Sequence, residues 1–179
     1  MGRIKIPLPG KLILSAIYSE PEALYSTMRK MEKKFGRIEF ETEECDFTHT
    51  DYYKEEMGEN LRRKFISFQK MVPRDSLADI KLFTNKLEEQ FGDKVDDFVF
   101  RTINLDPGIM RLSGLTLAST KDFAHRIYLR DGIFAEVTLI YAKKQFLVLP
   151  WTYPDYRDEK TIDFLSKVRA TMKKMEFDE

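Results

Sequence analysis

The dipeptide Asp131-Gly132, set between the alternating runs "FAHRIYLR" and "IFAEVTLIY", constrains this chain more than any other feature. Both central residues of a two-residue type I′ turn need positive φ, which Asp and Gly tolerate, so the runs fold back as a hairpin. The register that follows pairs Arg130 with Ile133, Leu129 with Phe134, Ile127 with Glu136 and His125 with Thr138. His125 and Glu136 then become diagonal neighbours on one face, with roughly 6 to 8 Å between their backbones. Arg126, Tyr128 and Arg130 point the other way. A carboxylate beside an imidazole fixes its tautomer and orientation, which suits a general base or a metal ligand. His125 and Glu136 are therefore the candidate catalytic pair, weighed against a purely structural pairing.

Upstream of the hairpin, strand and helix signals alternate. Lys11 to Ser19 reads as a buried strand. Ser19, Pro21 and Glu22 form a capping-box start, and Leu24, Met28, Met31 and Phe35 follow at helical spacing until Gly36. "RIEFETEECDF" alternates as a strand, "THTDYYKEEMGEN" is a polar loop or short helix, and "RRKFISFQKMV" is a further strand ending at Pro73. Asp75 is placed to cap a helix carrying Leu77, Ile80, Phe83, Leu87 and Phe91, and "FVFRTINLDPG" supplies the next strand. The order β-α-β-β-α-β is that of a ferredoxin-like sandwich. Strands "LTLAS" and "FLVLPW" flank the hairpin region, and a final amphipathic helix shows Ile162, Leu165, Val168 and Met172. The fold class expected is α+β, a central, largely antiparallel sheet with helices packed on it, in one domain over residues 1–179.

With 42% hydrophobic residues and 14 Phe, the chain can fill a core, so disorder is excluded. The 30 basic side chains balance 30 acidic ones, which removes the overall basic footprint of a general nucleic-acid binder. A single cysteine, Cys45, rules out an internal disulfide and fits a reducing compartment. No apolar run approaches the roughly 18 to 20 residues of a membrane span, and the expected location is cytoplasmic. A charged fraction of 34% with only three Asn and three Gln fits a thermophile.

Further candidates for ligand contact fall in three segments. "TINLDPG" puts Asn104 and Asp106 on one strand face just before an expected Pro-Gly turn. "THTDYY" and "WTYPDYR" each combine hydroxyl, carboxylate and aromatic groups, and Asp51, Tyr52, Trp151, Tyr153 and Asp155 could line one pocket that stacks on a planar ligand. Lys121 and Arg126 could neutralise an anion. The competing reading of "WTYPDYR" is a core lid, with Asp155 capping the last helix. A metal site from His49, Asp51, His125 and Glu136 lacks any local ligand spacing, so none is assigned. Arg62, Arg63 and Lys64 with Phe65 and Phe68 make a weak nucleic-acid surface, because the two rings fall on opposite strand faces.

The motifs "DFTHTDYYKEEMG", "IKLFTNKLE", "INLDPG", "LASTKDFAHRIYLRDGIFAEVTL" and "PWTYPDYR", in this order, resemble the prokaryotic family called domain of unknown function 4416 over roughly residues 11 to 172. The resemblance implies no established activity. Some members bear a GTP-binding label, yet this chain has no G-x-x-x-x-G-K-[ST] phosphate loop, and its "TNKLE" lies inside an expected helix.

Two functions compete. One is binding of, or chemistry on, a small polar or phosphate-bearing ligand in a cleft near His125 and Glu136; no cofactor is identified. The other is a non-catalytic interaction or oligomerisation module, in which a homo-oligomer is the expected partner. They separate on one observation: a concave pocket lined by at least four of the named polar side chains favours the ligand, and their dispersal over separate turns favours the module.

Overall fold

A computed structural model of the chain describes residues 2–48, 50, 52–95 and 98–177. Its centre is the fully buried strand β1 (Gly10–Tyr18), whose side chains alternate between two cores. Leu12, Leu14, Ala16 and Tyr18 face helices α1 (Pro21–Phe35) and α3 (Leu77–Glu89), while Ile13 faces the C-terminal helix α4 (Glu159–Phe177). Burial on both faces explains why β1 reads as an unbroken apolar run rather than an alternating one.

Strands β2 (Ile38–Glu41), β3 (Cys45–Asp46), β4 (Arg62–Val72), β7 (Ile103–Arg111), β8 (Gly114–Ser119), β9 (Arg126–Arg130), β10 (Ile133–Ala142) and β11 (Gln145–Val148) complete an antiparallel sheet with β1. Its order is β11-β10-β8-β7-β1-β4-β2, with β3 paired to β4 and β9 to β10. Within it, β4 lies between β1 and β2, and β1 lies between β4 and β7, which is the doubly split arrangement the βαββαβ reading expects. The short helix α2 (Lys54–Met57) precedes β4, and a separate two-stranded ribbon, β5 (Gly92–Val95) with β6 (Phe98–Arg101), follows α3. No helix among the described residues is long and apolar enough to cross a membrane.

Several local expectations are corrected. Ser19 does not cap α1; Glu20 is the N-cap without a side-chain bond, and the Ser19 hydroxyl donates to the Thr102 carbonyl instead. Asp75 sits in a 3₁₀ turn, so the residue before α3 is Ser76. "FVFRTINLDPG" is two strands broken at Thr102. Pro107 and Gly108 do not turn; they lie inside β7. Gly108 is needed there because a Cβ would stand 2.5 Å from Leu117 Cδ2 and 3.0 Å from the Thr116 carbonyl. Phe65 and Phe68 do fall on opposite faces, but both are buried, and so is Arg63, so neither ring is offered to a base.

Candidate functional site

Pro107 opens the sheet. Leu105 of β7 gives its N–H to the Glu88 carboxylate at 2.8 Å rather than to β1, so odd-numbered residues of this strand turn their backbone groups toward β8. Pairing of β7 with β8 runs from Arg111↔Gly114 to Gly108↔Leu117 and then stops. The next position on β7 is Pro107, which has no N–H to offer the Ala118 carbonyl. Beyond it the strands diverge, and a cleft of about 1210 Å³ lies in the fork.

One wall is β7 with α3. The exposed backbone edge of Leu105 is satisfied by helix side chains instead of a strand: Lys81 Nζ donates to its carbonyl at 2.7 Å and Glu88 Oε1 accepts from its N–H. Lys81 also donates to Asp106 Oδ1 at 3.1 Å and lies 3.8 Å from Glu88 Oε1. Asn104 Nδ2 donates to Asp106 Oδ2 at 2.8 Å. Burial works to raise the Asp106 pKa, but the charge and bond of Lys81, helped by Arg63 and Asn104, outweigh it and hold the carboxyl below its usual range. Glu88 goes the other way: burial dominates over Lys81 and Arg101 and pushes its carboxyl up. Arg101 bridges Glu88 to Glu56 of α2, donating from Nε to Glu56 Oε2 at 3.0 Å, and so ties the α2 segment across the mouth.

Facing it is the wall formed by β8, β9 and β10, and here the hairpin register is corrected. Asp131 and Gly132 adopt φ of 53° and 75°, as a type I′ turn requires, and Arg130 pairs with Ile133. A bulge then intervenes, so Tyr128 rather than Leu129 opposes Phe134, and Arg126 opposes Glu136 directly. One extra residue exchanges the faces of everything beyond it. Arg126, expected to point away, donates from Nε to Glu136 Oε2 at 2.8 Å, from NH2 to the Tyr153 hydroxyl at 2.8 Å and from NH1 to the Lys121 carbonyl at 3.0 Å. Burial raises the Tyr153 pKa, against the opposing charge of Arg126.

His125 lies just before β9, and its Nε2 is 3.0 Å from Glu136 Oε2. The ring stacks on Trp151 with centroids 4.8 Å apart and planes at 13°, and Phe123 packs at 5.1 Å on it. Trp151 is anchored by its indole N–H, which donates to the Val137 carbonyl at 2.8 Å. His125 and Trp151 stand behind the cleft wall and do not line it. Thr138 adds a long 3.4 Å bond to Glu136 Oε1, leaving that oxygen the less committed of the two.

Between the walls, Arg63 of β4 is buried and ion-paired with Asp155, and its NH2 donates to Ser15 Oγ at 2.6 Å. Its guanidinium lies 5.3 Å from the Phe47 ring centre, 4.8 Å from Phe65 and 5.4 Å from Tyr156. Asp155 therefore neutralises a core cation rather than capping α4. At the mouth, the Lys121 ammonium sits 3.8 Å over the Tyr52 ring, and Tyr52 packs edge-on against Tyr53 at 5.1 Å.

Tyr52, Asn104, Asp106, Lys121, Arg126, Glu136, Tyr153 and Asp155 thus share one cleft. Asp51 and His49 lie outside the described residues, and among the described residues no three His, Cys, Asp or Glu side chains are grouped to hold a metal ion. Lys81, Asn85, Glu88, Arg101 and Arg63 also line the cleft and were not singled out as site residues. A signal for two of them existed: Leu77, Lys81, Thr84 and Glu88 fall on one face of α3, so the charges of Lys81 and Glu88 occupy the stripe where apolar side chains are expected.

Searches of curated proteins and of solved structures give no match to this chain. The family described as Domain of unknown function (DUF4416) matches residues 8–172, nearly the whole chain, and the chain belongs to that family.

Proposed function

We propose that this protein binds a small polar ligand in the fork between β7 and β8. The observation that carries the reading is the convergence of eight polar side chains, drawn from four separate sequence segments, on one cleft of about 1210 Å³. In an interaction module the same side chains would be spent on separate turns. The two ion-paired walls give the cleft fixed polar groups without any rearrangement of the strands, which lowers the ordering cost of binding. Glu136 is held through Oε2 by both Arg126 and His125, while its Oε1 accepts only a long bond from Thr138.

A thermal-shift screen of amines, amino acids, sugars, sugar phosphates and nucleotides tests this reading. A ligand at a hundredfold excess over its Kd stabilises by about 2.7 kcal/mol, which for a chain of this size raises Tm by about 5 to 10 °C. The control is Asn85→Trp. Asn85 is half-buried on the cleft side of α3 and makes no hydrogen bond among the described residues, so the indole fills the cleft without breaking a contact. A shift retained in full by that variant would place binding elsewhere.

A further inference from the structure

The cleft's own charges narrow the ligand class. Among the described residues, seven carboxylates line it against five cations. Four of those cations are already committed to acids: Arg63 to Asp155, Lys81 to Asp106, Arg101 to Glu56 and Glu88, and Arg126 to Glu136. A phosphate drawing on Arg63 or Lys81 would take the paired cation away from Asp155 or Asp106, which is strongly unfavourable, and one drawing on Arg126 or Arg101 would compete with a carboxylate already bound there. Conversely, Glu55 and Glu89 at the mouth have no basic partner among the described residues.

The fifth cation is different. Lys121 is exposed and has no carboxylate partner among the described residues; its ammonium rests on the face of Tyr52, a ring that is itself 54% exposed. Arg63 among Phe47, Phe65 and Tyr156, and Arg101 near Tyr53, repeat the motif of a cation on a ring deeper inside. Each of these rings already carries a cation of the chain, and among the described residues only the one at the mouth carries a cation on a flexible, solvent-exposed side chain.

Resting on the cleft reading above, we propose that the ligand is a small organic ammonium compound, and that its ammonium takes the place on Tyr52 that the Lys121 ammonium occupies, in the cleft that Glu55 and Glu89 also line. Lys121 is then a competitor that the ligand displaces, not an anion-binding residue. The two roles predict opposite signs for one substitution, because removing a competitor tightens binding and removing a ligand-neutralising charge weakens it.

Calorimetric titration with 1,4-diaminobutane, lysine and sodium pyrophosphate, on wild type, Lys121→Ala, Tyr52→Leu and the double variant Glu55→Gln with Glu89→Gln, decides the matter. The expected result is binding of diaminobutane that Lys121→Ala tightens about threefold, Tyr52→Leu weakens by at least that factor, and the double variant weakens further. Stronger binding of lysine than of diaminobutane, lost in Lys121→Ala, would mean that Lys121 holds a carboxylate, and overturns the competitor role. Pyrophosphate binding that Lys121→Ala abolishes overturns the ammonium class while the cleft reading stands. No heat with either amine at millimolar concentration also overturns the ammonium class, and the cleft reading is then judged by the Asn85→Trp control alone. All these substitutions are at the exposed mouth, so unchanged Tm separates a binding defect from a folding one.

Discussion

The two walls of the fork solve one problem, a carboxylate held in a sheet that has split, in different ways. On the β7 side a single lysine serves three acceptors at once: Lys81 reaches the Leu105 carbonyl and Asp106 within hydrogen-bond distance and lies near Glu88. On the β10 side the ratio is reversed, and one carboxylate, Glu136, is served by two donors, Arg126 and His125. In the first arrangement only the Leu105 carbonyl depends on Lys81 alone among the described residues, because Asn104 also serves Asp106 and Arg101 also serves Glu88. The second tolerates a loss. A lysine spread over a strand edge and its acids is a structural device that replaces the missing strand, whereas an acid supported by two donors can keep its position while a ligand engages it.

Substitution of Lys81 breaks the first wall. In Lys81→Met the apolar stem is kept, but the Leu105 carbonyl loses its buried donor and Asp106 loses its paired cation, keeping only the neutral Asn104 amide, while Glu88 keeps Arg101; the expected cost is about 3 to 5 kcal/mol. Urea denaturation measures it. A loss under 1 kcal/mol would show that water enters the fork and replaces the ammonium, and would remove the distinction between the walls.

Substitution on the other wall costs less per residue. Arg126→Leu leaves His125 on Glu136 but also removes the bonds to the Tyr153 hydroxyl and the Lys121 carbonyl at the exposed side, so the expected loss is about 2 kcal/mol, dominated by one hydrogen bond to a charged group. His125→Phe keeps the stack on Trp151 and should cost no more. The double variant strips Glu136 of both donors and should exceed the sum of the single losses by more than about 0.5 kcal/mol. Strict additivity would mean that the two donors do not substitute for one another.

The legible part of this molecule is the part governed by local rules. The apolar run of β1, helical spacing along α1 and the Asp131-Gly132 turn each depend on neighbours in sequence, and each reads through to the correct element. What did not read through depends on partners far along the chain. The bulge between Ile133 and Phe134 has no local marker, yet it decides that Arg126 and not Ile127 meets Glu136. Pro107-Gly108 carries the signature of a turn, but with β1 pairing on one edge and the fork on the other, the proline needs no donor and the strand runs through it. Lys81 and Glu88 could have been noticed as charges on the buried stripe of α3. Their purpose, capping an orphaned strand edge, follows only from knowing that β8 leaves β7 where it does.

The smallest effect, and the one that tests the Lys81 wall from within, is in the pH dependence of stability. Asp106 has a folded-state pKa below its unfolded value, so its contribution is present above the ordinary carboxylate value of about 4 and is lost as pH falls through the folded pKa. Glu88, raised by burial, has the opposite sign: its contribution is complete below that ordinary value and is lost as pH rises through the folded pKa. In the wild type the two trends oppose each other around one ammonium. Asp106→Asn leaves only the Glu88 trend, so stability should gain relative to wild type on acidification from about pH 6 to about pH 3. Glu88→Gln leaves only the Asp106 trend, and stability should fall more steeply over the same range. Urea midpoints at several pH values read both curves. If the two variants bend in the same direction, Lys81 does not hold the two acids in opposed states, and the fork is supported by something other than its charge.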